Sequence, residues 1–328
     1  LLSESLFTVE IYPLNDLERP SLLKIGEKNI YIADGYQVKV FSKATKKMIY
    51  TLGKQGSGPG EFNNRPDSVQ ILKDGILCSS PYKLIYFSYA GAYLKEVKTK
   101  KAIRHLKKLT NDSYIGLQLK AGKTSITDLT LNLYDNTFNV TKVLKTTLYE
   151  SKKATMDLFI RFTYAPYHID TLKGKIIFAD IKENFKMNIS DKAGKLLKQI
   201  RRDIVPLEFK EEDKAKVFQF WESQNRLKKF INLFKLSVSF PRYYPPICTW
   251  KVADNKIYMV TFNKQEKQNQ CLVYDLEGNF IKESFLPLKS ESEILYIWYP
   301  FDISKNQFYQ VIDNYEEETW ELVITNIT

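Results

Sequence analysis

The sequence predicts an all-β fold, a six-bladed β-propeller built from four-stranded antiparallel blades. Three observations lead there. A motif of an opening proline (preceded by Arg in the first two copies), apolar strand, polar turn and second apolar strand recurs along the 328 residues. Each copy continues into two more alternating strands joined by Gly- or Asn-bearing turns, the pattern of antiparallel hairpins. The N-terminal segment Leu6–Tyr12 reads as a spare strand, and the last repeat, ending in Trp320–Thr328, is one strand short. Four strands per repeat of about 40 to 50 residues is the propeller signature.

The first repeat sets Arg19-Pro20 ahead of the strand anchor Ile30, and the second sets Arg65-Pro66 ahead of Ile76, with no gap between the copies. The anchors then run Ile30, Ile76, Tyr114, Ile176, Ile257 and Phe308, giving six units. Strands three and four of the first unit are Gln37–Phe41 and Met48–Leu52. Later equivalents are Lys83–Phe87 with Tyr93–Val97, Met187–Ser190 with Leu196–Ile200, and Cys271–Tyr274 with Phe280–Phe285. The interval between the fourth and fifth anchors needs an insertion, placed at about 203–245. Its middle, Glu208–Lys235, has Val217, Phe220, Trp221, Leu227, Ile231 and Phe234 at three- and four-residue spacing, which predicts an amphipathic helix packed on the rim. The whole chain, 1–328, then reads as one domain. The spare N-terminal strand would complete blade six and remove two open sheet edges.

Composition excludes other classes. No run approaches the roughly 18 apolar residues of a membrane-spanning helix. Forty-nine Lys and Arg against 38 Asp and Glu leave a net charge of +11, but only eight of the cations are Arg. Arg forks onto phosphates and base edges, whereas Lys is a hydrated point charge, so nucleic acid is a disfavoured partner. The cysteines are Cys78, Cys248 and Cys271, and no CxxC or Cys/His cluster accompanies them. Cys248 and Cys271 could pair in an oxidising compartment, which spacing alone leaves open. No metal site or cofactor is predicted, although a divalent cation held by scattered carboxylates in a central channel would leave no local spacing. Glu61, Asp67, Asp170 and Asp302 are the carboxylates to inspect for that. No signal peptide is legible from Leu1 onward.

The segment Leu52-Gly-Lys-Gln-Gly-Ser-Gly-Pro-Gly-Glu-Phe62 joins the first two units. No helix-opening Gly-Lys-Ser/Thr or GxGxxG accompanies it, so it is not a phosphate loop. It resembles the Gly-x-Gly-Pro-Gly-Glu-Phe linker of NHL-type repeats. With the six-fold repeat, the chain resembles bacterial six-bladed propellers of the NHL-like or TolB-like type. That resemblance implies export to the periplasm or cell surface, in some relatives as a lipoprotein.

In such a fold the segments leading into the inner strands share one face with the loops between second and third strands. Candidate ligand-binding residues there are Arg19, Arg65, Arg104, His105, Tyr167, His168 and Trp250, with Thr249, Phe301 and Asp302 nearby. Arg201, Arg202, Arg242, Tyr243 and Tyr244 join them from the end of blade four and the insertion. Two basic runs, Lys95 to Lys108 and Lys192 to Arg202, are expected to feed the same rim in part. The residues suit a protein or acidic glycan ligand bound by a monomer. Neither His105 nor His168 has a recognisable nucleophile or carboxylate partner in sequence, so no catalytic residue is assigned. A metal-dependent hydrolase, lactonase or lyase is the alternative.

Overall fold

The computed structural model describes residues 9–121, 126–150, 167–180, 186–223, 242–292 and 297–327. Strand β1 is Val9–Leu14. Blade 1 holds β2 (Pro20–Ile25), β3 (Asn29–Asp34), β4 (Gln37–Ser42) and β5 (Met48–Leu52). Blade 2 holds β6 (Ser68–Leu72), β7 (Gly75–Ser80), β8 (Lys83–Phe87) and β9 (Tyr93–Lys98). Blade 3 holds β10 (Arg104–Lys108), β11 (Ser113–Ala121), β12 (Ile126–Asp135) and β13 (Val140–Glu150). Blade 4 holds β14 (Tyr167–Leu172), β15 (Lys175–Asp180), β16 (Lys186–Ser190) and β17 (Leu196–Arg201). Helix α1 (Glu211–Ser223) follows within the insertion. Blade 5 holds β18 (Thr249–Ala253), β19 (Lys256–Gln265), β20 (Gln268–Asp275) and β21 (Phe280–Leu286). A ribbon of β22 (Ser290–Ser292) and β23 (Ile297–Trp298) precedes β24 (Phe301–Ser304), β25 (Gln307–Asn314) and β26 (Thr319–Asn326). The six four-stranded sheets are the blades of a β-propeller.

The last blade has the order β1-β26-β25-β24, so the N-terminal strand closes it. Pairing runs from Val9 opposite Thr325 to Leu14 opposite Trp320. The helix predicted over Glu208–Lys235 is present over Glu211–Ser223, with Val217 buried. Leu227, Ile231 and Phe234 lie outside the described residues.

The chain divides into two compact units. One comprises Leu1–Gln118, Leu131–Val143 and Tyr299–Thr328, and the other Leu119–Thr130 and Leu144–Trp298. Apolar clusters within each unit weld blade to blade. Leu23, Ile25 and Phe41 of blade 1 pack with Tyr309, Val311 and Leu322 of blade 6. In the second unit Ile177, Met187 and Ile189 of blade 4 pack with Trp250, Ile257 and Met259 of blade 5. Trp250, expected on a ligand face, is thus a core residue at 5% exposure. The blade 1–2 linker is tight because its side chains fold back. Gly53 lies against the buried Phe62 ring, and a Cβ on Gly56 would sit 2.1 Å from Glu61 Oε2.

Each inner strand is a sheet edge, and its outward amides need acceptors. Equivalent positions on the six inner strands are Lys24, Gln70, Lys107, Asp170, Lys251 and Asp302, opposite Tyr31, Leu77, Ile115, Ile177, Tyr258 and Tyr309. Acceptors and lysines alternate. At three junctions the acceptor takes an amide of the next blade's inner strand. Asp302 Oδ2 accepts from Ile25 N at 2.8 Å, Gln70 Oε1 from Lys108 N at 2.7 Å, and Asp170 Oδ2 from Val252 N at 3.4 Å. Asp302 also pairs with Lys24 at 3.2 Å.

The outer edges are managed differently. Among the described pairings, the outer strands of blades 1, 2, 4 and 5 carry one extra residue, a β-bulge that twists the edge away from pairing. The extra residues are Ile49, Leu94, Leu197 and Ile281, skipped in pairing with β4, β8, β16 and β20. The turns before several of these strands open with an Asp or Ser that caps the loop amides, as when Asp275 Oδ1 accepts from Glu277 N and Asn279 N.

Cys248 N donates to Val260 O at 2.8 Å, and Cys271 lies opposite Val260 on its other side. The two cysteines are therefore two strand spacings apart, about 9–10 Å, beyond the reach of a disulfide. All three cysteines are free and buried.

Two outcomes follow. Asp302→Ala leaves the buried Ile25 amide without an acceptor and is expected to cost about 1–3 kcal/mol in urea denaturation, with Asp302→Asn recovering much of it. Thiol titration under non-reducing conditions should find little reaction in the folded protein, since burial pushes the Cys271 thiol up to about 12 and raises Cys248 as well. All three should react on unfolding, and a shortfall would reveal a disulfide.

Candidate ligand-binding clefts

Blade 4 ends at Arg201, and the chain then runs through Arg202 to Pro206 into the insertion stem. Leu207 to Phe209 lies antiparallel to Arg242 to Tyr244: Phe209 N donates to Arg242 O and Tyr244 N to Leu207 O, both at 2.9 Å. Prolines 206, 245 and 246 stiffen both arms. Between the arms and the extended end of β19 opens a cleft of about 370 Å³, lined by Arg202, Tyr243, Tyr244, Thr261, Phe262 and Asn263 among others. That is within the range of small-molecule sites.

Its wall is aromatic and its rim cationic. Ring centroids step from Phe209 to Tyr244 (4.8 Å), to Phe262 (5.0 Å) and to Trp298 (6.2 Å). The Arg202 guanidinium lies 4.6 Å from the Phe280 centroid, and that of Arg242 lies 5.1 Å from the Tyr243 centroid. Stacking on a ring uses the face of the guanidinium and leaves its edge N–H groups as donors. No ion pair engages either arginine among the described residues, and Asp203 is the one carboxylate lining the cleft. Thr261 Oγ1 and Asn263 Nδ2 both donate to Gln270 Oε1, which fixes the polar floor. Arg201 is turned aside, its Nε on Gln199 Oε1 at 2.7 Å.

In the other unit a pocket of about 270 Å³ brings Arg19 and Arg65 together with Tyr36 and Gln55. Buried Asp34 builds it. Asp34 accepts from Arg19 N at 2.5 Å and from Glu18 N, and pairs with Lys39 Nζ at 2.6 Å. Lys39 in turn donates to Asp16 O. The carboxylate thereby holds the turn that presents Arg19, whose side chain stays exposed, as does that of Arg65.

The remaining candidates fall elsewhere. Tyr167 and His168 begin β14, opposite Asp180 and Ala179. Arg104 is exposed at the start of β10, and His105 sits in the register break that follows, at φ 49°. Thr249, Phe301 and Asp302 are buried. The basic runs are each divided along an outer strand, because six residues of strand span about 20 Å. Lys95 and Lys108 line a separate pocket with the Asp74 turn, whereas Lys98 pairs with Glu96 towards the other end of β9. Lys192 and Lys195 lie at the β16–β17 turn, at the far end of β17 from Arg201 and Arg202.

The carboxylates considered as cation ligands are bound to backbone amides instead. Glu61 accepts from Gly58 N at 2.8 Å, Asp67 from His105 N at 3.2 Å, and Asp170 and Asp302 hold the junctions already described. No group of three or more His, Cys, Asp or Glu suited to a metal occurs among the described residues. Sequence reasoning missed Phe262 and Asn263, which reach the cleft because β19 and β20 extend past the sheet, and Trp298, whose ring backs Phe262 from the β22–β23 ribbon. The long alternation Thr261-Phe-Asn-Lys-Gln265 was the available signal.

Residues 14–169 match a protein-family model described as a 6-bladed beta-propeller. A crystal structure of a Bacteroides fragilis protein, provisionally named as exported, is similar over 100% of this chain and 97% of its own, with a TM-score of 0.57 and 11% identity. The Neurospora crassa Pan2 WD40 domain aligns over 94% of this chain and 89% of its own, at a TM-score of 0.45 and 8% identity. No curated protein matches the chain.

The His105–Asp67 contact carries a pH prediction. Burial pushes the His105 imidazole below its ordinary value of 6.5, against the pull of Asp67. Above pH 6.5 the ring is neutral folded or unfolded. Below it the unfolded chain takes up a proton that the folded site resists, so stability falls as pH falls. Asp67 has the opposite sign: burial raises it above 3.8, so its contribution is complete below that pH and is lost as pH rises. His105→Asn tolerates the left-handed backbone. It should flatten the decline in urea midpoint between pH 6.5 and the lowered value, relative to the parent.

Proposed function

We propose that this chain is a non-enzymatic binding propeller, and that the cleft at Arg202, Arg242, Tyr243 and Tyr244 takes an acidic protein segment or glycan. The observation that carries this reading is an aromatic-walled cleft of about 370 Å³ lined by the exposed Arg202, whose guanidinium lies over the Phe280 ring, with a second exposed guanidinium, that of Arg242, over the ring of the cleft residue Tyr243. Pre-stacked arginines lose little freedom on meeting a carboxylate, and Tyr and Arg dominate binding hot spots. The Arg19–Arg65 pocket offers the same chemistry on the other unit. The two units together are read as one propeller domain. The glycine-rich linker at 52–62 supports an NHL-like or TolB-like repeat. The name of the Bacteroides protein supports export. A cation-dependent hydrolase, lactonase or lyase is less well supported, because the candidate carboxylates are engaged by backbone amides.

The test is binding of polygalacturonate and poly-glutamate, with dextran as the neutral control, by biolayer interferometry. An acidic polymer should bind, and Arg202→Ala with Arg242→Ala should weaken it about tenfold or more, as loss of one to two hot-spot contacts does. Failure of both polymers to bind, or equal binding by the double variant, would reject the cleft. A steep loss with salt for RNA as well would point to a phosphate-binding face instead.

A further inference from the structure

The first unit carries a second pocket, of about 360 Å³, where the turns of blades 2 and 3 meet. We infer that it is a binding site for a neutral saccharide, independent of the cationic cleft. Three observations at this pocket point the same way.

The first is an aromatic residue at a left-handed turn position. Before the last hairpin strand, Gly91 (φ 86°), Gly194 (φ 71°) and Gly278 (φ 84°) hold this position in blades 2, 4 and 5, and the polar Lys46 (φ 60°) and Glu318 (φ 51°) hold it in blades 1 and 6. Blade 3 alone of the six places an aromatic ring there, Phe138 at φ 63°. A side chain in this backbone region carries a cost, and a bulky ring is the choice there that solvation does not explain. Phe138 lies 4.9 Å from the Tyr114 ring, and both line the pocket. The second is a hydroxyl pair, with Tyr86 and Tyr114 oxygens 2.7 Å apart in the same wall. Each phenol has a spare lone pair or proton for a ligand hydroxyl.

The third is charge balance. In a chain of net charge +11, the charged residues lining this pocket are Asp74, Asp112, Lys95 and Lys108, two of each sign. Such a rim has acceptors and donors in equal measure and no net field to select an ion. Lys95 Nζ already lies 4.7 Å from the Tyr86 centroid, which opposes an organic cation on that ring. A ligand with alternating hydroxyl donors and acceptors and an apolar C–H face meets these requirements. A neutral monosaccharide or disaccharide has that chemistry.

The experiment is saturation-transfer NMR on the full chain with the methyl glycosides of glucose, galactose, mannose and N-acetylglucosamine, and with galacturonate as the acidic control. At least one neutral glycoside should receive transfer. Phe138→Gly should reduce its affinity at least tenfold while the protein still unfolds cooperatively, the relieved turn offsetting part of the packing Phe138 loses against the Tyr114 cluster. Tyr114→Phe, which keeps the ring and removes the hydroxyl, should also weaken binding. Arg202→Ala should leave it unchanged, which separates this site from the cationic cleft. No transfer to any neutral glycoside, transfer to galacturonate alone, or undiminished binding in both pocket variants would overturn the inference.

Discussion

The interaction on which the blades depend is a side-chain acceptor on one inner strand meeting a backbone amide on the next. A blade twisted out of a hairpin stack has two edges. Its inner edge is crowded against neighbours but has no neighbouring strand to complete a ladder. An amide left there without an acceptor costs about 1–3 kcal/mol. Gln70, Asp170 and Asp302 meet this cost at three junctions, all at one register position. The intervening positions hold lysines 24, 107 and 251, so acceptors and cations alternate along the inner strands. The alternation joins blades in pairs: 6 with 1, 2 with 3, and 4 with 5. Apolar clusters then fill the space behind each junction.

This use of carboxylates shapes what the chain can do. A carboxylate oxygen already taking an amide proton, as those of Glu61, Asp67 and Asp302 do, has less of its lone-pair density free for a cation. Asp34 shows the same economy on the loop side, where one buried carboxylate takes two amides and a lysine and thereby positions Arg19. Buried charge is balanced in sign: Asp34 and Asp302 are 2% and 1% exposed, and Lys39 and Lys83 are 8% and 3% exposed.

The fold was legible in the sequence because its signals are local and repeated. An anchor such as Ile30 or Ile76 marks a buried second strand, and alternation marks its neighbours. The closing strand was legible as a count, one strand spare at one end and one lacking at the other. The junctions were not legible, since Asp302 and Ile25 are 277 residues apart and neither announces its partner. Asp170 and Asp302 read as candidate ligands for the same reason. Trp250 was misplaced because it stands at the beginning of an inner strand, where alternation does not say which side faces the core. The basic runs are contiguous in sequence yet divided in space, because a strand carries its two ends to opposite edges of the blade. The cleft lining was half legible: Arg202 follows from the basic run after an outer strand and Tyr243 and Tyr244 from the aromatic stretch of the insertion, whereas Phe262 and Asn263 required the length of the β19–β20 hairpin.

The outer edge completes the logic. There the chain uses bulges, and the extra residue in each is aliphatic and about half exposed: Ile49, Leu94, Leu197 and Ile281 at 51%, 54%, 53% and 47%. A polar residue at these positions would be the simpler choice for solubility, so the apolar choice requires another cause. β-Branched and aliphatic residues fit a pleated, half-buried surface, and a bulge brings two successive side chains onto one face. The pair can then shield the backbone where the ladder is interrupted. Met48 beside Ile49 and Phe280 beside Ile281 are such pairs. Phe280 also receives the Arg202 guanidinium, so in blade 5 the device that protects an edge doubles as the platform for a rim arginine. On the proposed function, edge protection and ligand recognition would share atoms, since the ring that shields the blade 5 edge also holds the cleft's arginine.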